Sequence, residues 1–305
     1  MEQKSMTALV SAFSRAYHSL NNEVKIFDDS MAAKLLTDEE YAQISASMSD
    51  GIGFFNPSFK GSREQALRWI TDNQLAPAPL GRAVFAENTL ERAVRIGAEQ
   101  YLIFGAGYDT FAYRQPKWAE DLEIFEIDHP ATAADKRERL NNAGIELPKN
   151  VHYAEADFTA PDWQKVLLED PAFDKSRISC CAVLGVSYYL SKDAFDALVS
   201  AIGGMVPEGS SIVFDYPDED SYTERAGERA KKQAMLAGGA NEAMLASYSF
   251  SEMEKLLADR GFLIYEHLDP QEMTAQYFAA YNQANPDHKM TAFDNVNYCL
   301  AVKKR

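Results

Sequence analysis

The sequence predicts a doubly wound α/β fold, with a sheet of about seven strands behind an N-terminal helical extension and one late insertion. Three observations predict it. From residue 100 onward, short apolar runs alternate with helical stretches, the pattern of strands joined by crossover helices. The first run, 101–104, ends in Gly105-Ala106-Gly107 and reads as a buried parallel strand turning sharply into a helix. The second, 124–127, ends on Asp128, an acid 21 positions beyond Gly107. That is the layout of a nucleotide-binding βαβ unit, in which small residues admit a ligand to the backbone and the acid accepts bonds from ribose hydroxyls.

In chain order, the first hundred residues are helical in pattern and contain no convincing strand. Apolar spacing over 8–17, 31–36 and 66–70 fits helix faces, with Asp28 and Asp29 placed to start a helix. Residues 50–62, rich in Gly, Phe and Asn, read as a loop. Strands are expected at 101–104, 123–128, 151–157, 178–184, 211–216, 262–267 and 298–303, and helices at 131–143, 163–168, 194–202 and 251–260. A long non-strand segment joins the last two strands, so one of them can run antiparallel. Residues 217–248, charged over 224–232 and then small at Gly238-Gly239, exceed an ordinary βα connection. A solvated surface helix with a loose turn would account for them. A lid is slightly favoured, because the segment follows a strand's carboxyl end, where open sheets bind ligands. The expected organisation is a helical cap over 1–99 and a ligand-binding α/β domain over 100–305, with the insertion at about 217–248.

Composition narrows the function. With 46 acidic against 30 basic side chains, the formal charge is -16. Such a surface repels nucleic acid and anionic membranes, which leaves proteins and small molecules as partners. Cys180, Cys181 and Cys299 form no CxxC pair and suggest neither a disulfide framework nor a zinc site. The N-terminus lacks a signal-peptide core, and no stretch reaches ~20 apolar residues. A cytoplasmic protein is expected.

The ligand follows from Thr110. A dinucleotide fold wants a third small residue there, so that the helix packs close beneath a pyrophosphate. Its absence points to an adenosine ligand without a pyrophosphate, S-adenosyl-L-methionine being the obvious one. Asp157-Phe158 has two readings: a helix N-cap followed by a core ring, or the pair that holds the adenine. Beside Gly105 and Asp128, the second is stronger. Around 184–190, Gly185 permits close approach, so the Leu184 carbonyl can face the methionine amino group. Tyr188 and Tyr189 line the acceptor pocket or pack beneath a helix, with equal weight. His129 sits at the cofactor rim, and the other four histidines have no metal-ligand spacing. Asp109 is expected to cap the helix after the glycine loop and Arg114 to pair with a structural acid. Arg82 is a carboxylate-binding candidate, although a lone Arg is usually a surface ion pair.

Together, Arg82, Gly105-Ala106-Gly107-Tyr108-Asp109-Thr110 with Tyr113-Arg114, and 125–132 with Lys136-Arg137 resemble the leucine carboxyl methyltransferase family in its broad sense. Asp157-Phe158, Gly185-Val186 with Tyr189-Leu190, and Phe214-Asp215-Tyr216 complete the likeness, which is nearest to the bacterial branch containing tetracenomycin-type polyketide O-methyltransferases. The resemblance implies a class I methyltransferase (Rossmann-like) fold with S-adenosyl-L-methionine as methyl donor. It makes Arg82 a ligand of the methionine carboxylate. It also sets Gly105 against the methionine part, Asp128 against the ribose, and Asp157 with Phe158 against the adenine. Members acting on a protein's terminal leucine carry Glu where this chain has Leu184. The expected reaction is therefore methyl transfer to a carboxylate or hydroxyl oxygen of a small organic acceptor, with no general base singled out. The alternatives are a protein C-terminal carboxyl methyltransferase, a non-catalytic nucleotide-binding regulatory protein and an NAD-dependent dehydrogenase.

Overall fold

The computed structural model describes residues 6–239 and 244–304. Seven strands, β1 (Gln100–Phe104), β2 (Glu123–Asp128), β3 (Val151–Glu155), β4 (Ser179–Val183), β5 (Ser211–Pro217), β6 (Phe262–Leu268) and β7 (Val296–Lys303), form one sheet in the order β3-β2-β1-β4-β5-β7-β6. The first five pair in parallel, whereas β7 runs antiparallel to both β5 and β6. The long connection between the last two strands keeps the chain at the end of the sheet where β6 finishes, so β7 starts beside Leu268 and runs back antiparallel. Strand β3 stops at Glu155, so Asp157 lies in the loop beyond the strand that was expected to end on it.

Helices cover both faces. In the N-terminal part they are α1 (Met6–Asn21), α2 (Asp38–Asp50), α3 (Ile52–Phe55), α4 (Arg63–Ile70) and α5 (Pro77–Arg95). Beyond β2 come α6 (Pro130–Asn142), α7 (Lys165–Leu168), α8 (Lys192–Met205), α9 (Glu228–Gly239), α10 (Phe250–Asp259), α11 (Pro270–Met273) and α12 (Ala279–Ala284). Phe85 and Leu90 of α5 pack with Phe111, Met273 and Tyr281 on one face of the sheet. Phe195, Leu198 and Ile202 of α8 pack with Met253 and Leu257 of α10 on the other. Covered on both faces, β1, β4 and β5 are buried along their whole lengths, which is why they read as continuous apolar runs.

Several local expectations change. No α-helix follows the glycine loop; two short 3₁₀ turns, Phe111–Tyr113 and Lys117–Ala119, span the crossover to β2. Pro116 between them cannot donate an amide to a continuing helix. The helix expected at 31–36 is a 3₁₀ turn, Ser30–Leu35, whose N-cap is Asp29, while Asp28 instead pairs with Lys25 at the surface. The loop expected at 50–62 contains the single turn α3. Gly238-Gly239, expected as a turn, ends α9; residues 240–243 of the expected insertion lie outside the described residues.

The N-terminal helices are fastened to the α/β part by charge as well as packing. Thr37 and Glu40 form a capping box at the start of α2, and the same Glu40 carboxylate takes both arms of Arg139 on α6 at 2.7 and 2.8 Å. Hydrogen bonds from Arg139 hold the Glu40 carboxyl down at about 2, below its usual 4.5. A lowered folded value gives stability that is complete above pH 4.5 and lost as the pH falls towards 2. Glu40→Gln is therefore expected to lower the urea midpoint at pH 7 and to flatten its fall across that acid window. Midpoints measured against pH for both proteins check this, and parallel curves would refute it.

Candidate functional site

A cavity of about 540 Å³ opens at the carboxyl ends of the parallel strands, where the order reverses between β1 and β4. Its floor is the glycine loop. Gly105 has φ +72°, and a Cβ there would stand 2.4 Å from Val186 Cγ2, so only glycine fits between the loop and the turn after β4. The amide of Gly107 donates to one Asp128 oxygen, and the His129 amide donates to the other at 2.6 Å. Burial raises the Asp128 carboxyl above its usual value, with those two amide bonds opposing the shift. Asp128 therefore clips the loop and lines the cavity.

Above the opposite side stands Arg82 of α5. Asp215, fully buried in the apolar run of β5, accepts Arg82 Nη2 at 3.2 Å, the Tyr188 hydroxyl at 2.8 Å and the Gly185 amide at 2.7 Å. Gly185 has φ +68°, and a Cβ on it would fall 1.8 Å from Arg82 Nη1. The guanidinium thus lies directly on the turn between β4 and Tyr188. Arg82 Nε is buried with no hydrogen-bond partner among the described residues, an orphan donor in a wall of the cavity.

The cap closes the third side. Buried Asp29 accepts Arg15 Nε at 2.8 Å, Thr110 Oγ1 at 2.7 Å and the Ala32 amide at 3.1 Å. Arg15 in turn donates to the Tyr108 carbonyl at 2.6 Å. These bonds fix the cap to the far half of the glycine loop. From the insertion, α9 brings Gln233 and Leu236 to the cavity. It is tied down by Lys232 on the Phe55 carbonyl at 2.7 Å and by Arg229 on the Ala292 carbonyl at 2.7 Å.

Of the residues singled out by sequence, Arg82, Gly105, Ala106, Gly107, Asp128, Phe158, Leu184, Tyr188 and Tyr189 line this one cavity. Tyr188 lines the cavity and donates its hydroxyl to buried Asp215. Asp157 and His129 are not among the residues that line it. The Asp157 carboxylate takes the Thr159 amide and hydroxyl, which lower its pKa. His129 N-caps α6, its Nδ1 accepting the Ala131 amide at 3.3 Å. Asp109 accepts the Phe111 amide at the start of a 3₁₀ turn rather than of a helix, and Arg114 forks onto Glu87. Sequence reasoning gave no role to Asp215, although an acid inside an apolar run signals a buried carboxylate that needs partners. Nor did it find Arg15, Gln74 or Gln233, whose cavity-facing positions depend on tertiary packing.

A crossover sheet with a glycine floor, an acid at the end of β2 and a half-buried arginine opposite defines a class I S-adenosyl-L-methionine-dependent methyltransferase. Residues 8–203 match the leucine carboxyl methyltransferase family, and the chain belongs to it. The chain is 38% identical to the Bacillus subtilis protein named "Putative S-adenosyl-L-methionine-dependent methyltransferase YktD", with 99% of each chain covered. A likewise named protein of Mycobacteroides abscessus is 32% identical over 53% of this chain and 50% of its own. Among solved structures, a DUF574 family protein from Streptomyces avermitilis has a TM-score of 0.57 at 15% identity, covering 96% of this chain and 97% of its own. A "putative methyltransferase" from Thermobifida fusca has a TM-score of 0.54 at 16% identity, covering 99% and 96%. At such identities these two likenesses concern the fold alone.

Gly185→Ala combines a strained φ, costing roughly 1–2 kcal/mol, with displacement of Arg82. The expected outcome is a folded protein of lower urea midpoint that binds S-adenosylhomocysteine at least about tenfold more weakly. Calorimetric titration checks this, and wild-type affinity would refute the contact.

Proposed function

We propose that the enzyme transfers the methyl group to an oxygen of a small organic molecule. The observation that carries the reading is the apolar wall facing the glycine floor, built from Val10, Phe27, Met48, Leu75, Leu236 and Met244. An apolar chamber with few polar groups suits a small ligand. Leu184, which lines the cavity where relatives acting on a terminal leucine carry Glu, supports the small-molecule reading over protein carboxyl methylation. In this reading residues 1–99, apart from Arg82, shape the acceptor side together with α9, and the rest of 100–305 with Arg82 holds the cofactor. No helix among the described residues is long and apolar enough to cross a membrane. The buried, unpaired Cys180, Cys181 and Cys299 support a cytoplasmic setting.

The residues fit the cofactor. Arg82 is assigned to its methionine carboxylate, for which the orphan Nε is a ready donor. Leu184 and Gly105 offer backbone to the amino-acid part, Asp128 to the ribose hydroxyls, and Phe158 with Asp157 and His129 to the adenine end. When bound, S-adenosyl-L-methionine supplies a sulfonium methyl whose carbon–sulfur bond breaks as the acceptor oxygen attacks, leaving S-adenosylhomocysteine. The chain's part is to position and to exclude water. The lining carboxylates Asp29, Asp109 and Asp128 already hold amides or side chains, and no histidine lines the cavity among the described residues. No catalytic base is therefore assigned.

Asp128→Ala is expected to cost roughly 1.5–3 kcal/mol, about one to two decades, in S-adenosylhomocysteine affinity. Unchanged affinity by calorimetry would remove Asp128 from the site. An acceptor screen with labelled methyl donor against carboxylic acids, phenols and peptides tests the reaction. Transfer to small molecules is expected, and transfer confined to peptide C-termini would overturn the small-molecule reading.

A further inference from the structure

On the acceptor side, the usual means of holding an anion is already spent. Three arginines line the cavity, and no lysine does so among the described residues. Arg15 donates Nε to Asp29, Nη1 to Ser11 Oγ at 2.8 Å and Nη2 to the Tyr108 carbonyl. Arg114 donates Nε to Thr110 Oγ1 at 2.8 Å and both terminal nitrogens to Glu87. Arg82 has been assigned to the cofactor. A free carboxylate on the acceptor would thus meet no uncommitted cation, and burying it unpaired would be costly.

Two neutral amides stand in that wall instead. Gln74 lies in a π-turn, Thr71–Leu75, closed by the Ala76 amide on the Thr71 carbonyl at 2.9 Å. The turn's extra residue changes the direction of the side chains after it, and such single π-turns occur often at functional sites. Gln74 is only 8% exposed, lines the cavity, and has no hydrogen-bond partner among the described residues. Its side-chain amide, which lines the cavity without an internal partner, has two donors and a carbonyl to offer a ligand. Gln233 approaches from α9, which packs on this π-turn and is tied to it by Arg229 Nη1 on the Asn73 carbonyl at 3.2 Å. Gln233 lines the same cavity and likewise has no hydrogen-bond partner among the described residues.

We propose that Gln74, seconded by Gln233, is the specificity-determining polar contact for the acceptor, and that the acceptor is an uncharged, mainly apolar molecule carrying a keto or similar neutral hydrogen-bonding group near the methylated oxygen. This rests on the reading of the cavity as the methyl-transfer site. The amide donates to a keto oxygen while the apolar wall takes the hydrocarbon part, and a carboxylate is disfavoured because only neutral donors greet it. The π-turn and the α9 contact make the selection depend jointly on the cap and the insertion.

Three ortho-substituted phenols of similar size test the proposal: ortho-hydroxyacetophenone, ortho-ethylphenol and salicylate, each with labelled methyl donor. The hydroxyketone is expected to be the best acceptor. Gln74→Leu is expected to raise its KM about tenfold, while leaving the KM for ortho-ethylphenol and the affinity for S-adenosylhomocysteine unchanged. Gln233→Leu is expected to act in the same direction and more weakly, and it serves if Gln74→Leu fails to fold. Preference for salicylate, or equal KM changes for ketone and ethylphenol, overturns the proposal while leaving the cofactor site intact. If none of the three is methylated, calorimetric titration of the ketone into enzyme loaded with S-adenosylhomocysteine decides. Binding weakened by Gln74→Leu upholds the contact, and absence of binding overturns it. Failure of S-adenosylhomocysteine to bind at all removes the underlying reading as well.

Discussion

The site depends on the burial of one carboxylate. Asp215 sits in the middle of the sheet, in a strand with every residue buried, where an unpaired acid would be strongly destabilising. It is held there because three donors converge on it from separate elements: an amide from the turn after β4, a tyrosine hydroxyl from the segment beyond, and a guanidinium from α5. Satisfying the acid therefore fixes the path of 184–188 and the position of Arg82 at once. The Ser187 hydroxyl on the Asp215 carbonyl at 2.7 Å ties the same turn a second time. Gly185 is the price of this convergence, because any larger residue would stand where the guanidinium lies.

The other end of the cavity uses the same device with a different acid. Asp29, 1% exposed, gathers Arg15, Thr110 and the start of a 3₁₀ turn, and Arg15 and Arg114 hold its carboxyl below the usual range against the opposing effect of burial. Because Thr110 and Tyr108 belong to the glycine loop, the N-terminal helices are built into the floor of the cavity rather than laid upon it. Ala12 and Leu35 of the cap share a small apolar cluster with Tyr108 and with Leu140 of α6. The cap side of the cavity is consequently preorganised by contacts that also shape the loop.

What the sequence disclosed follows from what is local. Strands buried on both faces announce themselves as apolar runs, so all seven lie within two residues of their expected bounds at each end, and β2 matches its bounds outright. Gly105, Gly107 and Asp128 were legible because their spacing is fixed by one βαβ unit. The missing helix after the loop was not, since Pro116 and the short crossover outweighed the usual consequence of a glycine turn. Arg82 was ambiguous by its own chemistry and became interpretable only through resemblance, because its partner lies 133 residues away at Asp215. Gln74 was invisible for a related reason: a π-turn has no sequence signature here, and the amide gains meaning only once the arginines around it prove to be committed.

That missing helix bears on which ligand the floor can hold. A glycine loop that opens a full helix offers aligned amides and the positive end of a dipole, which favours a pyrophosphate. Here a three-residue 3₁₀ turn follows the loop, and its first amide is already taken by Asp109. The Gly107 amide is taken by Asp128. Asp109 and Asp128 set two carboxylates at the floor that are hydrogen-bonded to backbone amides, while Arg15 and Arg114 beside them are neutralised by Asp29 and Glu87. Such surroundings repel a dinucleotide's phosphates and tolerate a sulfonium with an ammonium group close by. Arg82 stands apart on the Asp215 side, where a single carboxylate of the same ligand can reach it. The charge layout of the cavity thus matches the charge layout of S-adenosyl-L-methionine, and the absence of a helix dipole at the loop is part of that match.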